Sequence, residues 1–353
     1  MIPFREYHLF LILQEYESQH KPIDAVLSIY FRSNKSIGSK DRKYISDTLY
    51  ALMRWRGLLD FLIKDKGPIT WEKRLAVYKE QFQPQKYEND VSIPPHIRAS
   101  FPKIYFDKIK ASLGEEKAWD FCLTSNTQAP LTIRVNRLKK TREELLALLK
   151  EKHFVFPCAH APNGISFQKK INIYDLPEFH EGYFEIQDEG SQLISSLVEP
   201  KNGDSILDFC AGAGGKTLAI APLLEGKGQI FLHDIRGWIL QEAKKRLRRA
   251  GIQNAQIVLP EELKQKNLEK KMDFVLLDVP CSGSGTLRRN PGMKWHFQEA
   301  QFQDLLHSQK EIFEKSLSFV KPGGKIVYIT CSIFREENES QIEYFTQHYP
   351  VSL

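Results

Sequence analysis

Residues 273–286 read Asp-Phe-Val-Leu-Leu-Asp-Val-Pro-Cys-Ser-Gly-Ser-Gly-Thr. The apolar run Phe274–Asp278 predicts a buried strand that ends in an acid, and Cys281 follows after a Val-Pro pair. In an open parallel sheet, ligands bind just beyond the carboxyl ends of the strands. The stretch therefore predicts a ligand site that contains Asp278 and Cys281.

The composition is typical of a globular protein without a membrane span. The chain has 353 residues, of which 42% are hydrophobic and 27% charged, which leaves room for two or three domains. The longest apolar runs are too short for a transmembrane helix, and the first residues lack the layout of a signal peptide. We therefore expect a cytoplasmic protein that has no membrane partner.

The charge and the cysteines narrow the function classes. A net charge of +6 and a pI near 8.8 suit a polyanionic partner without requiring one. The five cysteines are odd in number, and no pair has CxxC spacing, so neither a disulfide framework nor a zinc site is predicted. No metal is expected, and a functional cysteine would act as a thiol.

Three regions follow one another along the chain. Residues 1–95 comprise an apolar pattern at helical spacing and a polar, proline-punctuated linker from residue 81. Residues 96–190 predict a small α/β platform, in which Thr141-Arg-Glu-Glu144 forms a capping box before a helix. In residues 191–353 strands alternate with helices, which predicts a doubly wound parallel sheet. The predicted fold class is therefore α/β, preceded in the sequence by a helical region.

The individual elements of the third region can be placed from the same pattern. Long helices are predicted at Gly237–Ala250 and from about Phe297 to Val320. The predicted strands are Ser205–Phe209, Gln229–His233, Gln256–Leu259, Phe274–Leu277 and Lys325–Ile329. The basic run 244–249 is predicted to be the solvated face of the first of these helices.

A glycine-rich turn follows the first of these strands. The residues Asp208-Phe-Cys-Ala-Gly-Ala-Gly-Gly-Lys-Thr217 permit a tight turn and a close approach of a ligand to the backbone. Asp234 ends the second strand, where a nucleotide-binding fold places the acid that binds ribose hydroxyls. The pair predicts a site for an adenosine-containing ligand.

A phosphate-binding P-loop is the rival interpretation of the same turn. Gly215-Lys216-Thr217 resembles the end of such a loop, but Cys210 stands where the P-loop requires its first glycine. An adenosine ligand without a triphosphate fits better, and S-adenosylmethionine is the candidate.

Two thiols are predicted to meet at the carboxyl edge of the sheet. Cys281 and Cys331 each follow a strand, and these two strands should be neighbours. A thiolate that adds to C6 of cytosine makes C5 nucleophilic enough to accept a methyl group, and an acid at N3 stabilises the developing charge. A second thiol can assist the release of the first.

The motifs resemble those of the RsmB and Sun family of RNA cytosine-5 methyltransferases. Besides the glycine-rich turn, the matching segments are Ala129–Asn136, Gly182–Asp188 with Ser191 and Gln192, Asp278–Pro291, Lys294-Trp295, Pro322–Gly324 and Thr330–Asn338. More weakly, Asp41–Tyr50 resembles the NusB-type helical extension of the bacterial ribosomal-RNA members. The resemblance implies a Rossmann-like methyltransferase sheet behind an RRM-like platform and an all-α NusB-like domain.

The resemblance also implies roles for individual residues. Cys331 would be the nucleophile, Cys281 would aid release, and Asp278 would contact both the target base and the cofactor. S-adenosylmethionine would be held by Asp234, Asp278 and the turn residues Cys210, Ala211, Gly212, Ala213, Gly214, Gly215 and Lys216. The expected substrate is ribosomal RNA, most naturally 16S, bound by a monomer. Arg288 and Arg289 are the expected RNA contacts in the active-site loop.

Two departures from the family pattern stand out. The family's aspartate near the adenine is replaced by Leu259-Pro-Glu-Glu262, in which Glu261 or Glu262 could substitute. The chain ends at Leu353, where family members continue into a closing hairpin, so we expect a truncated or unusually short protein.

Other functions stay open at this point. A transfer-RNA cytosine-5 methyltransferase would share the same motifs. A DNA cytosine-5 methyltransferase would use Cys281 as nucleophile and would not need Cys331. A non-catalytic RNA-binding assembly factor would bind RNA without transferring a methyl group.

Overall fold

The chain divides into two compact units that do not follow its linear order. The first unit comprises the described residues up to Ala129, together with segments 281–306 and 331–344. The second comprises 130–280, 307–330 and 345–353. The predicted three-domain division at residues 95 and 190 stays a prediction. The computed structural model describes residues 2–19, 21–80, 82–263 and 265–353. Within these ranges, no helix has both the length and the apolar character needed to cross a membrane.

The first unit begins with helices, as the spacing of apolar residues predicts. On the first of them Leu9, Leu13 and Tyr16 are buried at helical spacing. The fourth begins after Thr70, whose hydroxyl accepts the Lys73 N–H and caps the helix. The helices are α1 (Phe4–Gln19), α2 (Ile23–Ser33), α3 (Ser39–Ile63), α4 (Trp71–Lys79), α5 (Pro95–Arg98), α6 (Lys103–Leu113) and α7 (Glu115–Ser125).

The two later segments of this unit pack against α6 and α7. Leu287, Phe302 and Phe334 share one hydrophobic core with Tyr105 of α6. The Tyr105 and Phe334 rings lie 5.3 Å apart, and those of Phe302 and Phe334 lie 5.5 Å apart. Burial of one such side chain contributes roughly 1.5–3 kcal/mol. The segments that contain the cysteines are therefore fixed by the helical unit.

The second unit begins with the predicted small platform. Its sheet is antiparallel with the order β2-β3-β1-β4. The capping box is present, because the Thr141 hydroxyl accepts the Glu144 N–H and the Glu144 carboxylate accepts the Thr141 N–H. The elements are β1 (Leu131–Val135), α8 (Arg142–Lys150), β2 (Val155–Pro157), β3 (Gly164–Phe167), α9 (Pro177–His180), β4 (Phe184–Ile186) and α10 (Glu189–Ser196).

A parallel sheet follows, and it confirms the doubly wound α/β prediction. Its strand order is β7-β6-β5-β8-β9, and every neighbouring pair is parallel. The elements are β5 (Ser205–Asp208), α11 (Gly215–Ile220), β6 (Gln229–His233), α12 (Gly237–Ala250), β7 (Ala255–Val258), β8 (Met272–Asp278) and β9 (Val320–Ile329). Two further helices, α13 (Glu299–Ser316) and α14 (Glu339–His348), begin in segments of the first unit and end in segments of the second. The helix α13 ends earlier than predicted, because Val320 already belongs to β9.

The register of the central strands brings their carboxyl ends to one edge. Asp208 pairs with Leu276, and Asp278 pairs with Ile329. Leu276 and Leu277 are fully buried, which explains the continuous apolar run of β8, since a strand covered on both faces does not alternate. The prediction that β8 and β9 are neighbours is confirmed.

The basic run on α12 is only partly a solvated face. Lys244 and Lys245 are exposed, but Arg246 and Arg249 both form ion pairs with the buried Glu185 of β4. Arg246 also donates to the Ala213 carbonyl at 2.8 Å. The sequence pattern missed this role because the partner acid lies about sixty residues away in the chain.

Candidate active site

The glycine-rich turn joins β5 to α11 and combines close packing with open space. Gly214 has a φ of 78°, and a Cβ there would lie 3.3 Å from the Cβ of Ala243. Apart from the adjacent residues and the backbone of the same helix, no described atom lies within 4 Å of a Cβ built at Gly212 or Gly215. The turn is therefore tight on its α12 side and leaves its backbone accessible at two glycines.

Asp234 follows β6 and binds back to this turn. Its carboxylate accepts the Gly212 N–H at 2.9 Å and the Arg236 N–H at 2.9 Å. The Arg236 guanidinium donates to both oxygens, at 2.9 and 3.0 Å. Burial raises the pKa of Asp234, but these donors outweigh it, so the pKa lies below its ordinary value. Asp234 is therefore a charged, nearly buried acid.

Asp208 ends the neighbouring strand in a different environment. It is fully buried, and its Oδ2 accepts the Thr217 hydroxyl at 2.7 Å. Its Oδ1 has no hydrogen-bond partner among the described residues. Burial, only partly offset by Thr217, raises the pKa of Asp208 to about 7. This acid is therefore poised to be neutral just below neutral pH.

Asp278 ends β8 and pairs with Lys216 of α11. The Lys216 Nζ lies 2.9 Å from the Asp278 Oδ2 and 3.2 Å from the Ser191 hydroxyl. About a third of the Asp278 side chain stays exposed, at 35%. Lys216 thus fixes the orientation of an acid that remains accessible at the strand end predicted to bind the ligand.

These groups fit an adenosine-containing cofactor. The turn supplies accessible backbone at Gly212 and Gly215, and Asp234 supplies the carboxylate at the end of β6. Burial raises the pKa of Cys210 to about 12, so this thiol stays neutral beside the turn. The residues predicted for S-adenosylmethionine lie in one unit, and their arrangement suits that group.

The turn after β7, where the adenine of the cofactor is expected to lie, provides fewer groups that could contact the ligand. Glu262 accepts the Leu259 N–H at 3.0 Å, which closes the turn after β7, while Glu261 is exposed. The Glu262 carboxylate therefore has a local structural role. Whether Glu261 or Glu262 substitutes for the family aspartate stays a prediction.

The two predicted thiols lie together in the first unit. Their Sγ atoms are 3.2 Å apart, and the Cys331 N–H donates to the Cys281 Sγ at 3.3 Å. The Gly285 N–H donates to the Cys331 carbonyl at 2.9 Å. A Cβ at Gly285 would lie 2.9 Å from that oxygen, so a larger residue would displace the Cys331 loop. The prediction that both cysteines reach one place is thus met by direct contact.

The two thiols differ in exposure and in proton affinity. Cys331 is exposed, whereas Cys281 is half-buried. The hydrogen bond with Cys331, followed by burial, raises the pKa of Cys281 above its ordinary value. Because its pKa is raised, the Cys281 thiol keeps its proton at neutral pH.

A polar network beneath the thiols ties the two cysteine loops together. The buried Glu337 accepts the Ser282 N–H at 2.7 Å and the Ser282 hydroxyl at 2.5 Å. The Ser284 and Ser332 hydroxyls lie 2.9 Å apart, and the Ile333 N–H donates to Ser284 at 2.8 Å. The sequence motifs contain these residues but do not show that they contact one another. The available signal was that each of them lies close to one of the two cysteines in the sequence.

Lys294 and Trp295 attach the same loop to the helices. The fully buried Lys294 ammonium donates to the Arg54 carbonyl at 3.0 Å and to the Asn126 amide oxygen at 2.8 Å, and it lies 3.9 Å from the Phe101 ring centre. Burial lowers the pKa of Lys294 well below its usual range. The Trp295 indole donates to the Met53 carbonyl at 2.7 Å. These partners could not be found from the sequence.

Family models match two parts of the chain. Residues 195–352 match the 16S rRNA methyltransferase RsmB/F model, and residues 101–174 match the ferredoxin-like domain of RsmF/B-like methyltransferases. The second match agrees with the antiparallel platform.

Curated relatives carry the corresponding name. A probable ribosomal RNA small subunit methyltransferase B of Synechocystis is 35% identical over 71% of this chain and 57% of its own length. The ribosomal RNA small subunit methyltransferase B of Proteus mirabilis is 35% identical over 79% of this chain and 65% of its own. The chain therefore spans less than two thirds of these relatives.

Solved structures agree with the fold. The crystal structure of PH0851 is similar with a TM-score of 0.82 at 25% identity, over 99% of this chain and 91% of its own. A methyltransferase homolog protein from Pyrococcus horikoshii gives 0.62 at 29% identity, over 72% of this chain and 81% of its own. From the two family matches and the 35% identity of its relatives, the chain belongs to the RsmB/F methyltransferase family.

Proposed function

We propose that this protein transfers a methyl group from S-adenosylmethionine to C5 of a cytosine in RNA, with 16S ribosomal RNA as the substrate. The observation that carries the proposal is the contact between the Cys281 and Cys331 sulfurs, 3.2 Å apart in loops that follow the paired strands β8 and β9. The protein would act in the cytoplasm as a monomer. Residues 96–190 would bind RNA, as would Arg288 and Arg289.

Cys331 is the nucleophile in this proposal. Its exposed thiolate forms a bond to C6 of the cytosine, and the electron pair of the C5–C6 double bond then becomes available at C5. S-adenosylmethionine would supply the electrophilic methyl group, and its sulfur would keep the electron pair of the broken S–CH3 bond and leave as the thioether of S-adenosylhomocysteine. Loss of the C5 proton to a base re-forms the double bond and expels the Cys331 thiolate. An exposed thiol suits this role because its partner must enter from solvent.

Cys281 assists release. Because its pKa is raised, it holds a proton at neutral pH and can hydrogen-bond to the Cys331 sulfur as that sulfur leaves carbon. Asp278, oriented by Lys216, would hold the N3 edge of the base and stabilise the charge that develops there. Asp234 and the segment Cys210–Lys216 would hold the cofactor.

The test is a pair of substitutions assayed with methyl-labelled cofactor and RNA. Cys331→Ala should abolish transfer, because no bond to C6 can form. Cys281→Ala should leave a covalent protein–RNA adduct that persists on a denaturing gel. Cys158→Ala is the control, since it removes a thiol of the second unit. Normal methylation by Cys331→Ala would contradict the mechanism.

The substrate is tested separately. Purified 16S ribosomal RNA, transfer RNA and DNA are offered as acceptors, and the 5-methylcytosine is mapped. The proposal expects one cytosine of 16S ribosomal RNA to be modified at the highest rate. Preference for transfer RNA or DNA would correct the substrate, whereas RNA binding without transfer to any acceptor would indicate an assembly factor.

A further inference from the structure

A pocket of about 330 Å³ lies within the first unit, beside Cys281. Its walls come from the start of the chain, from α6 and from the loop that carries Lys294 and Trp295. We call it the Tyr16 pocket; its lining residues include Tyr16, Lys21, Tyr105, Cys281, Gln301 and Phe302. This volume falls at the lower end of the range for small-molecule sites.

The deep part of the Tyr16 pocket is aromatic. Tyr16, Tyr105 and Phe302 are each at most 3% exposed. The ring of His296, another lining residue, lies edge-on to Tyr16 with the centroids 5.1 Å apart. The three buried rings therefore form an apolar wall, and the half-buried rings of His296 and Phe297 are the ones that can offer a face to an unpaired nucleic-acid base.

One polar group in the deep part lacks a partner. The Tyr105 hydroxyl is buried, and it forms no hydrogen bond with any residue that the structure describes. Burial raises the pKa of Tyr105, so the group remains a neutral hydroxyl able to donate. An unsatisfied buried hydroxyl costs about 1–3 kcal/mol, which a ligand with an acceptor atom would recover.

The rim is polar and lacks negative charge. Lys21, Gln298 and Gln301 are exposed there, and no described residue that lines the pocket is an acid. Amides and a lysine suit a ligand that presents base edges and is flanked by phosphates. The same rim would disfavour a cationic ligand, which finds no carboxylate.

We propose that the Tyr16 pocket binds an unstacked RNA base that neighbours the target cytosine in the strand. The inference rests on the proposed function, since it needs an RNA substrate. The occupant is a flanking base because Cys281 and Ser282 line the pocket, whereas Cys331, the residue that must bond to the target, is not among the lining residues. The helical region thereby contributes to sequence or strand recognition.

The first test measures the affinity of the purified chain for a fluorescein-labelled single-stranded oligocytidylate, by anisotropy without cofactor. Gln301→Trp places a bulky ring at the rim of the Tyr16 pocket. Gln303→Trp is the matched control, because Gln303 is exposed on the same helix but does not line the pocket. We expect Gln301→Trp to raise Kd about tenfold, as loss of one stacked base predicts, and Gln303→Trp to leave it within about twofold.

A second pair of variants guards against a folding artefact. Lys21→Glu adds a carboxylate to the rim, and Lys35→Glu makes the same charge change at an exposed position outside the lining. Lys21→Glu should weaken binding more than Lys35→Glu, with equal thermal unfolding midpoints. Equal affinities within both pairs, or no binding by the unaltered chain, would overturn the proposal.

The position of the base is then found with abasic nucleotides. In an RNA that carries the mapped cytosine, bases are removed one at a time on either side of the target. Removal of one particular base should weaken binding by the unaltered chain but should not further weaken binding by the Gln301→Trp variant. The two changes would then be non-additive because each abolishes the same contact between base and pocket. Additive effects at every position would overturn the proposal.

These outcomes separate the inference from the proposed function. The assays measure binding without cofactor, whereas the proposed function is tested by methyl transfer. Methyl transfer together with additive binding effects would refute the proposal for the Tyr16 pocket and support the proposed methyltransferase function. Binding of oligocytidylate that depends on the pocket, without transfer to any acceptor, would support the pocket and refute the methyltransferase function.

Discussion

Asp208 and Asp234 end neighbouring strands of the same sheet, and both are nearly inaccessible, yet their protonation behaviour is opposite. Asp208 receives one hydrogen bond from Thr217, and burial raises its pKa to about 7. Asp234 is less deeply enclosed and keeps 3% exposure, and four donor groups from Gly212 and Arg236 keep its pKa below the ordinary value. The deeper burial of Asp208 and the larger number of donors around Asp234 together decide which acid is charged.

The difference assigns different tasks to the two acids. A carboxylate that is charged over the whole physiological range can accept ribose hydroxyls, which is the role proposed for Asp234. A carboxyl that titrates near neutrality is a stability liability at high pH and supports the turn when protonated.

The largest expected effect is on the pH dependence of stability. For Asp208 the folded pKa of about 7 exceeds the unfolded value of 3.8. Stability from the neutral carboxyl is thus complete below the unfolded pKa and is lost as pH rises to the folded pKa. The amide side chain of the Asp208→Asn variant cannot ionise. As the pH rises through this window, the free energy of unfolding of the variant should therefore increase relative to that of the unaltered chain, by up to about 1.4 kcal/mol per pH unit. Urea unfolding from pH 4 to 8 measures it.

Glu242→Gln, an exposed change on α12, is the control and should show no such slope. A difference between Asp208→Asn and the unaltered chain that stays constant with pH would mean that Asp208 is charged when folded. The contrast with Asp234 would then be wrong.

The next effect concerns cofactor affinity. Asp234→Ala removes the charged acceptor at the end of β6, and a hydrogen bond to a charged group is worth about 1.5–3 kcal/mol. Titration calorimetry with S-adenosylmethionine should show binding weaker by roughly 10- to 100-fold. Asp208→Asn should change affinity much less, since Asp208 is fully buried. Equal losses in the two variants would show that both acids hold the ligand.

A smaller effect is the acid limb of the stability curve. The folded pKa of Asp234 is below the unfolded value of 3.8, so its contribution is present above pH 3.8 and is lost as pH falls through the folded pKa. Asp234→Asn should cost about 1–2 kcal/mol at pH 7. The deficit should shrink as the pH falls below 3.8, opposite in sign to Asp208→Asn. A deficit independent of pH would contradict the lowered pKa.

The smallest effect is expected from Arg236→Ala. The Arg236 side chain is 55% exposed, so solvent screens its ion pair with Asp234 and the loss should be roughly 0–1 kcal/mol in free energy of unfolding. The Gly212 and Arg236 backbone donors remain. Arg248→Ala, also exposed on α12, is the control. A loss above 2 kcal/mol would show that the guanidinium, rather than the backbone, keeps Asp234 charged.

Much of the fold could be predicted because its signals are local. Continuous apolar runs between turns marked β5, β6 and β8, and helical spacing marked α12 at Gly237–Ala250, as observed. The meeting of Cys281 and Cys331 followed from one further rule, that ligands and loops collect at the carboxyl edge of a parallel sheet. The placement of both thiols at one edge could therefore be inferred from local signals, whereas their direct contact is shown only by the structure.

The remaining features depend on partners distant in the chain. The sequence shows a lysine at position 294, but not that its ammonium meets the Arg54 carbonyl and the Asn126 amide. The ion pairs of Glu185 with Arg246 and Arg249 were likewise hidden, because a basic run is ordinarily a solvated face. Arg236 was missed although it lies only two residues from Asp234, since no pattern distinguishes a bidentate partner from a surface charge.

Through the contacts of Lys294, the helical region holds the loop that carries Cys281 in place. The buried Lys294 amine has no carboxylate partner among the described residues, so its contacts are limited to the Arg54 carbonyl, the Asn126 amide and the Phe101 ring. Trp295 adds a further contact through the Met53 carbonyl. The position of the loop that carries Cys281 therefore depends on contacts with these helices. A shortened protein that contained only the parallel sheet would therefore keep the cofactor turn but lack the helices that position Cys281.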